Sequence, residues 1–209
     1  MIRVLVADDH AVVRRGLLQI LEEAPDMVAA GQASTGLEVL RALRQDDYDV
    51  LVLDISMPEG GGLETLKQLR TLRPDLPVLI LSVYPEKQYA TRALTAGAAG
   101  YLTKEAASHE LVAAIRQVAR GAKYISSSLA TALAEQLGDE ERAPLDILSD
   151  RELQVLRLLA SGKRIKDIAQ DLSLSVKTVS TYRTRILTKL NLESTADLIR
   201  YALDRGLVG

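Results

Sequence analysis

The sequence predicts an α/β domain built on a doubly wound, five-stranded parallel sheet, followed by a small all-α domain with a helix-turn-helix. Two observations on apolar spacing lead to this fold class. Over residues 1–120, short runs of Val, Ile and Leu alternate with amphipathic helical segments. This alternation is typical of a parallel sheet that helices cover on both faces. From Leu148 onward the apolar residues recur only at helical spacing, which indicates a second, purely helical domain.

The strands and helices of the predicted α/β domain alternate along the chain. Strands are expected at Ile2–Ala7, Met27–Ala33, Val50–Ile55, Pro77–Ser82 and Ala98–Leu102. Helices are expected at Ala11–Ala24, Leu37–Arg44 and Leu63–Leu72, in a segment that ends at Ala96, and at Ser108–Arg120. Five such β-α units form one doubly wound sheet.

The rest of the chain is predicted to be helical apart from one linker. A helix is expected at Ser126–Leu137, and the short, polar and charged segment Gly138–Pro144 follows it as a linker. Four further helices are expected, one between Ser149 and Gly162, then Ile165–Leu172, Val176–Leu190 and Thr195–Asp204. We therefore predict an α/β domain over residues 1–120, a linker with one helix over 121–147, and a helix-turn-helix domain over 148–209.

The composition excludes several kinds of site and gives the two halves different charge. The 209 residues include no cysteine, which excludes disulfides and thiolate metal sites. The apolar start Val4–Ala7 runs directly into Asp8 and resembles neither a signal peptide nor a membrane span, so a cytoplasmic protein is expected. Residues 1–140 carry 14 basic and 19 acidic side chains, whereas residues 141–209 carry 12 and 9. This difference indicates different partners for the two halves.

Polar side chains stand at the carboxyl ends of four predicted strands. Asp8 and Asp9 follow the first strand, Asp54 the third, Ser82 the fourth and Lys104 the fifth. Ligands of open α/β sheets bind at this edge, so the five side chains are expected to converge. Clustered carboxylates favour a hard divalent ion such as Mg²⁺. Asp54, on the central strand, can act as a nucleophile towards a phosphoryl group, while Lys104 and Ser82 bind its oxygens.

These residues resemble the signature of bacterial receiver domains over about residues 1–120. The matching stretches are Asp8-Asp9-His10, Asp54 with Met57-Pro58-Glu59-Gly60-Gly61-Gly62, Ser82, and Ala98-Ala99-Gly100-Tyr101-Leu102-Thr103-Lys104. The resemblance implies a flavodoxin-like fold with Asp54 as the phosphorylation site. It also implies Mg²⁺ ligation by Asp9, Asp54 and the carbonyl of Ser56, with Asp8 contributing through water. Finally, it implies that Tyr101 swings inward together with Ser82 on activation.

The two histidines complete neither a catalytic triad nor a metalloprotease motif. His10 can be interpreted as a phosphoryl carrier or ligand, although the sequence favours a simpler role as the residue that starts the first helix beside the pocket. His109 is expected on a solvated helix face. Glu105 stands where many receivers have proline after the lysine, which predicts a looser turn at that point.

A short helix, a three-residue turn and a longer helix predict the helix-turn-helix. Ser149 and Glu152 have the spacing of a capping box at the start of this domain. On the longer helix, the residues expected to face inward are Val176, Val179, Ile186 and Leu190. This leaves a small polar face that can enter a major groove. Basic side chains suited to phosphate contacts are Lys163, Arg164, Lys166, Lys177, Arg183, Arg185 and Lys189. By pattern alone, a solvated helix in a small bundle explains this face equally well.

Four stretches of this region resemble the LuxR-type helix-turn-helix, namely Leu148–Leu156, Ala160–Lys163, Lys166–Ala169 and Ser175–Tyr182. Together with the receiver signature, they make the chain similar to the NarL/FixJ family of response regulators over essentially its whole length. The resemblance implies that Ser180, Thr181 and Thr184 lie nearest the base edges. Such small hydroxyl side chains give weak direct readout, so phosphate contacts and DNA shape are expected to carry much of the affinity.

The resemblance implies a phosphorylation-activated transcriptional regulator of a two-component system. A sensor histidine kinase would phosphorylate Asp54, and phosphorylation would favour a homodimer that binds two half-sites on double-stranded DNA. The last helix, with Leu198, Ile199 and Leu203, is equally well explained as a dimer contact or as part of the domain core.

Three alternatives stay open at this point. The main one is a phosphorylation-independent DNA-binding regulator whose receiver is vestigial or binds a small ligand. A second is a haloacid-dehalogenase-like phosphatase, but that chemistry typically needs a second Asp two residues after the nucleophile, where Ser56 stands. A third is a receiver that only binds other proteins, which leaves the C-terminal domain unexplained. We do not expect an enzyme.

Overall fold

The structure, a computed structural model, describes residues 1–57, 61–84, 86–127, 129–131 and 147–207. The chain folds as two compact units, Met1–Gln136 and Leu137–Gly209. Residues 58–60 and the predicted linker segment Gly138–Pro144 lie outside the described residues, and the predicted domain limits stay a prediction. Within the described ranges, no helix combines the length and the apolar character needed to cross a membrane.

The N-terminal unit alternates strands with helices as predicted. The strands are β1 (Ile2–Ala7), β2 (Met27–Ala33), β3 (Val50–Asp54), β4 (Val78–Ser82) and β5 (Gly100–Thr103). The helices are α1 (Ala11–Glu22), α2 (Gly36–Gln45), α3 (Gly61–Leu72), α4 (Glu86–Thr95) and α5 (Ala107–Ala119). All strand pairings are parallel, in the order β2-β1-β3-β4-β5, which confirms the doubly wound sheet.

The centre of the sheet is buried on both faces. Every residue of β3 and of β4 is buried, as are the last four residues of β1, which explains why these strands lack polar alternation. The chain turns to opposite sides of the sheet after β1 and after β3, because β2 lies on one side of β1 and β4 lies beyond β3. The carboxyl ends of β1 and β3 therefore border the crevice in which such folds bind ligands.

Strand β5 begins at Gly100, two residues later than the predicted start at Ala98. The preceding Gly97 has a φ of +99°, a left-handed conformation that suits glycine and ends α4. The N–H of Ala98 then donates to the carbonyl of Ala93, at 2.9 Å. Because this bond belongs to the helix end, Ala98 is not available to the sheet.

Residues 121–126, here called the β5-edge segment, follow α5 and run beside β5. The N–H of Tyr124 donates to the carbonyl of Ala99 at 2.9 Å, and Tyr124 forms an isolated parallel bridge with Gly100. A Cβ on Gly100 would collide with Tyr124, so the glycine permits the close approach. The segment thus extends the sheet by one short pairing.

Side chains also bind the β5-edge segment to the neighbouring helices. The Tyr124 hydroxyl donates to Glu110 Oε2 on α5. The Ser126 hydroxyl donates to Glu86 Oε2 at the start of α4. The beginning of the predicted linker is therefore attached to α4, β5 and α5 together.

The C-terminal unit contains four described helices, α6 (Asp150–Ala160), α7 (Ile165–Asp171), α8 (Val176–Leu190) and α9 (Thr195–Asp204). The predicted capping box between Ser149 and Glu152 is present at α6. The core consists of apolar side chains from all four helices, among them Leu153, Leu156, Ile168, Val179, Ile186 and Leu198. Val176 was expected to face inward but is 50% exposed, because it is the first residue of α8 and lies next to the exposed turn.

A buried carboxylate joins α6 to α8. Glu152 is 3% exposed, and its Oε2 lies 2.6 Å from Lys189 Nζ while accepting the Ser149 N–H at 2.7 Å. Burial raises the pKa of Glu152, but Lys189 and Ser149 outweigh burial and hold that pKa below its ordinary value of 4.5. The ionised side chain therefore stabilises the folded unit.

We predict a pH-dependent stability difference between the wild type and Glu152→Gln. The ionised Glu152 contributes fully above pH 4.5, and this contribution is lost as the pH falls through its lower folded pKa. At neutral pH the variant should lower the free energy of local unfolding of this unit by about 1–2 kcal/mol. The loss is no larger because water partly screens the charge of Lys189. Amide hydrogen exchange of α6 would measure the difference, which should shrink below pH 4.5. A constant difference down to pH 3, or an equal effect of Glu193→Gln at an exposed position, would contradict this role.

A glycine allows α3 to start directly beneath the end of β3. The N–H of Gly62 donates to the carbonyl of Ile55 at 3.1 Å, and a Cβ on Gly62 would collide with the backbone of Asp54 and Ile55. On α1, in contrast, a Cβ added to Gly16 would meet no atom from outside the helix within 4 Å.

We expect Gly62→Ala to destabilise the N-terminal unit by about 1–3 kcal/mol, because backbone atoms have to move to admit the methyl group. Gly16→Ala is the matched control and should stabilise the same unit by roughly 0.5–1 kcal/mol, as alanine does inside an exposed helix. Amide exchange of β3 would report both effects. If the two substitutions changed the stability of the unit equally, the methyl group at Gly62 would fit without destabilising the backbone, and the prediction would be wrong.

Candidate functional site

The predicted polar side chains meet at the carboxyl edge of the sheet. Asp8 and Asp54 have no exposed surface, and the side chain of Lys104 is 12% exposed. Lys104 Nζ lies 2.7 Å from Asp8 Oδ2 and 2.8 Å from Asp54 Oδ2, so one ammonium group bridges two carboxylates from neighbouring strands. Of the five side chains expected to converge, the structure brings Asp8, Asp54 and Lys104 into direct contact.

Backbone donors fix the orientation of both buried carboxylates. Asp54 Oδ1 accepts the N–H of Ser56 at 2.8 Å, and Asp8 Oδ1 accepts the N–H of His10 at 2.8 Å. Asp54 therefore has a hydrogen bond on each oxygen, whereas Asp8 has a backbone hydrogen bond on Oδ1 and an ion contact with Lys104 on Oδ2. Charge-assisted bonds of this kind leave little rotational freedom.

The electrostatic balance of the pocket is negative. Burial raises the pKa of Asp54, and the opposing effects of Lys104 and the Ser56 N–H do not fully offset it. Burial lowers the pKa of Lys104, but Asp54 and Asp8 outweigh burial and hold it above its ordinary value. The Lys104 ammonium therefore stays charged. It faces two buried carboxylates, so a bound cation can neutralise the negative charge that remains in the pocket.

The pocket has the donor set of a divalent cation site. One ligand atom from each of Asp8, Asp9, His10 and Asp54 lies within 4.8 Å of the others. Three of the four are carboxylate oxygens, the ligands that Mg²⁺ prefers. The residues present thus fit the cation that the family resemblance implies.

Ser82 and Tyr101 are linked through one loop residue. Ser82 Oγ accepts the N–H of Tyr84 at 3.0 Å, and the Tyr101 hydroxyl donates to the carbonyl of Tyr84 at 2.9 Å. Tyr101 has no exposed surface, so its ring lies inward, and the N–H of Lys104 donates to the carbonyl of Ser82 at 2.7 Å. The two residues expected to act as the switch therefore share hydrogen bonds with one loop.

Two supporting residues were not predicted to act here. Arg14 Nη1 donates to the carbonyl of Asp8 at 2.6 Å and so holds the turn that carries Asp8 and Asp9. Gly62 lets α3 begin against Asp54. The glycine belongs to the motif that resembles receivers, whereas an arginine one turn inside an amphipathic helix gives no sequence signal of its own.

The polar face of α8 is accessible, as a DNA-reading helix requires. Lys177, Thr181, Thr184 and Arg185 are exposed, and Ser180 is half-buried. The Thr181 hydroxyl donates to the carbonyl of Lys177 at 2.9 Å, and the Thr184 hydroxyl donates to that of Ser180 at 3.2 Å. Because their protons are used within the helix, these hydroxyl oxygens present mainly acceptor lone pairs to a groove.

Three of the predicted phosphate contacts have partners within their own domain. Lys189 is paired with Glu152, and Arg183 Nη1 lies 3.5 Å from the Thr195 hydroxyl at the start of α9. Lys163 also forms an ion pair, with Asp171 at 2.6 Å. Lys177 and Arg185 remain on the exposed surface of α8.

The last helix divides between the core and the surface. Leu198 is fully buried, so it belongs to the core of the domain. Leu203 is 55% exposed and Ile199 is half-buried. Leu198 thus fits the interpretation of this helix as part of the domain core, and Leu203 remains available for the interpretation as a dimer contact.

Comparison with known proteins assigns both units to families. The family described as "Response regulator receiver domain" matches residues 4–116, and "Bacterial regulatory proteins, luxR family" matches residues 146–202. The response regulator GacA of Pseudomonas aeruginosa is 40% identical over 100% of this chain and 98% of its own length. UvrY of Escherichia coli K12 is 38% identical over 99% of this chain and 96% of its own length.

Solved structures give the same assignment. RcsB of Salmonella typhimurium is 28% identical, with a TM-score of 0.61 over 96% of this chain and 97% of that one. ChrA, the response regulator of a heme-sensing two-component system, is 32% identical, with a TM-score of 0.54 over 99% and 98%. Since these similarities extend over both units in the same order, the chain belongs to the NarL/FixJ family of response regulators, which join a receiver domain to a LuxR-type DNA-binding domain.

Proposed function

We propose that Asp54 accepts a phosphoryl group from a sensor histidine kinase and that this modification switches dimerisation and DNA binding by the C-terminal domain. The observation that carries the proposal is the buried Asp54 carboxylate, held 2.8 Å from Lys104 Nζ beside Asp8. A nucleophilic carboxylate with a fixed ammonium group next to it suits phosphoryl transfer.

In the proposed reaction an oxygen of Asp54 attacks the phosphorus atom of the donor. The new O–P bond forms as the P–N bond of the kinase phosphohistidine breaks, and the histidine nitrogen retains the bonding electrons. Lys104 Nζ and the N–H of Ser56 already contact the two Asp54 oxygens. Both donors can therefore stabilise the negative charge of the phosphoryl group as it is transferred to Asp54. Ser82 Oγ, fully buried nearby on β4, can donate to a phosphoryl oxygen once it turns from Tyr84.

Mg²⁺ is the cation proposed for this pocket. Asp9, Asp54 and the carbonyl of Ser56 would bind it directly, and Asp8 would contribute through water. When bound, the cation neutralises charge on the incoming phosphoryl group. The donor set within 4.8 Å supports this assignment.

The first test is phosphate uptake at Asp54. The wild type incubated with a small phosphodonor and Mg²⁺ should gain one phosphate by intact mass, and Asp54→Asn should gain none. The exposed substitution Asp75→Asn is the control for a general loss of carboxylate charge and should behave as the wild type does. Uptake by a correctly folded Asp54→Asn would place the acceptor elsewhere.

The DNA-binding proposal concerns the exposed face of α8. Ser180, Thr181 and Thr184 are proposed to lie nearest the base edges, with Lys177 and Arg185 on phosphates. Arg183 and Lys189 complete the proposed set, although each would first have to leave its intradomain partner. The solved complexes of RcsB with DNA, one with a promoter in the presence of phosphomimetic BeF₃⁻, support this use of the domain.

We expect Lys177→Ala to weaken binding to all DNA sequences and to lower the salt-dependence slope of the affinity by about 1, because one phosphate contact is lost. Lys67→Ala, on the exposed surface of α3, is the matched control and should change neither quantity. Fluorescence anisotropy over a range of salt concentrations would measure both variants. An unchanged slope for Lys177→Ala would remove this residue from the interface.

The coupling between the two domains is proposed to pass through the α4-β5-α5 side of the receiver. Phosphorylation adds charge beside Lys104, whose N–H donates to the carbonyl of Ser82. Ser82 and Tyr101 both contact Tyr84 in the loop before α4. The β5-edge segment is attached to α4 through Ser126 and to β5 through Tyr124. A movement of α4 would therefore act directly on the chain that leads to the DNA-binding domain.

Dimerisation is the proposed consequence of activation. Two DNA-binding domains related by a two-fold axis would bind half-sites about one DNA turn apart. The exposed Leu203 on α9 is a candidate contact between them. We also propose a cytoplasmic location, in keeping with a kinase partner and DNA as the target.

The alternative of a phosphorylation-independent regulator has less support. A vestigial receiver has no need to keep two fully buried carboxylates and a bridging lysine, since such an arrangement is costly unless every member is present. Absence of phosphate uptake in a folded wild type would favour this alternative.

A further inference from the structure

His10 stands at the mouth of the pocket with its ring turned towards the carboxylates. It is the N-cap residue of α1, yet its side chain makes no capping bond to the helix. Its backbone N–H donates to Asp8 Oδ1 at 2.8 Å, which holds the residue against the pocket. The imidazole is therefore free of any role in starting α1.

The ring nitrogen and the Asp9 carboxylate face each other without a proper hydrogen bond. His10 Nδ1 lies 2.8 Å from Asp9 Oδ1 and 3.5 Å from Asp8 Oδ1. Asp9 Oδ1 is nevertheless buried and accepts no hydrogen bond of ordinary geometry from the residues that the structure describes. Two ligands in adjacent positions of an octahedral ion, each about 2.1 Å from it, lie about 3.0 Å apart. The spacing of Nδ1 and Oδ1 fits such a pair.

We propose that His10 is a nitrogen ligand of the receiver cation site and that it shifts the preference of this site from Mg²⁺ towards Mn²⁺, Co²⁺ and Ni²⁺. The inference rests on the proposed function, because it uses the same Asp9 and Asp54. Carboxylates and water suit Mg²⁺, whereas an imidazole adds affinity for the later divalent ions and little for Mg²⁺. The His10 imidazole would then join Asp9, Asp54 and the Ser56 carbonyl as a direct ligand, with Asp8 still contributing through water. The side chains of Asp8, Asp9, His10 and Asp54 each offer a ligand atom within 4.8 Å of the others.

The consequence is a receiver that responds to which divalent ion is available. A transition-metal ion held by His10 would occupy the same position beside Asp54 as Mg²⁺. His10 would therefore determine cation selectivity without being required for the Mg²⁺-bound state. The side chain is 63% exposed, so an ion can reach Nδ1 from solvent.

The test compares cation affinities in tag-free protein, because the chain contains only one other histidine, His109, which is exposed on α5. Titration calorimetry would give the Mg²⁺, Mn²⁺ and Co²⁺ affinities of the wild type, His10→Ala and the control His109→Ala. His10→Asn is a second variant that keeps a good N-cap residue and so guards against a folding defect. Electron spin echo modulation of bound Mn²⁺ would detect a coordinated ¹⁴N directly.

We expect both His10 variants to lose the ¹⁴N signal and to bind Co²⁺ and Mn²⁺ at least about 10- to 100-fold more weakly, because removal of a residue that only orients a metal ligand already costs that much. Their Mg²⁺ affinity should change by less than about threefold, since Mg²⁺ gains little from an imidazole. His109→Ala should resemble the wild type in every measurement.

Three results would overturn the inference. An equal loss for Mg²⁺ and Co²⁺ would mean that His10 only positions Asp9, and unchanged affinities or an unchanged ¹⁴N signal would mean that His10 is not a ligand. Tighter binding of every cation by the variants would mean that the imidazole repels cations as a charged group. Phosphate uptake by the wild type with Mg²⁺ is independent of all three results, so failure of the inference and failure of the proposed function are distinguishable.

Discussion

The bridge from Lys104 to Asp8 and Asp54 is the interaction on which the receiver depends. It joins side chains from three strand ends, β1, β3 and the residue after β5, and two of its three members have no exposed surface. Burying charges in this way is costly, and removal of one partner leaves the others uncompensated. A change of charge at Asp54 would therefore rearrange the contacts of Lys104, which is the physical basis of the switch that we propose at this position.

A continuous set of contacts leads from this bridge to the edge of the domain. The backbone of Lys104 is bonded to Ser82, Ser82 and Tyr101 share the loop at Tyr84, and Tyr101 lies on β5. Next to Tyr101, Gly100 pairs with the β5-edge segment. In the proposed mechanism, a new charge in the pocket would reach the chain that leaves the receiver through these direct contacts.

The sequence predicts those features that depend on local pattern. Apolar runs located the strands, strand ends located the pocket, and the spacing of Ser149 and Glu152 located a helix start. Features that depend on long-range contacts were not predictable. The pairing of Lys189 with Glu152 spans two helices, and the return of Tyr124 to β5 follows a helix.

The claim that phosphorylation of Asp54 controls DNA binding is tested most directly by one affinity measurement. DNA fragments selected from a random pool by the full-length protein would be titrated with the wild type and with Asp54→Asn, each before and after treatment with a small phosphodonor and Mg²⁺. We expect the treated wild type to bind about tenfold more tightly or better, which corresponds to about 1.4 kcal/mol, and the variant to show no gain. An equal gain by Asp54→Asn, or phosphate uptake by the wild type with unchanged affinity, would contradict it.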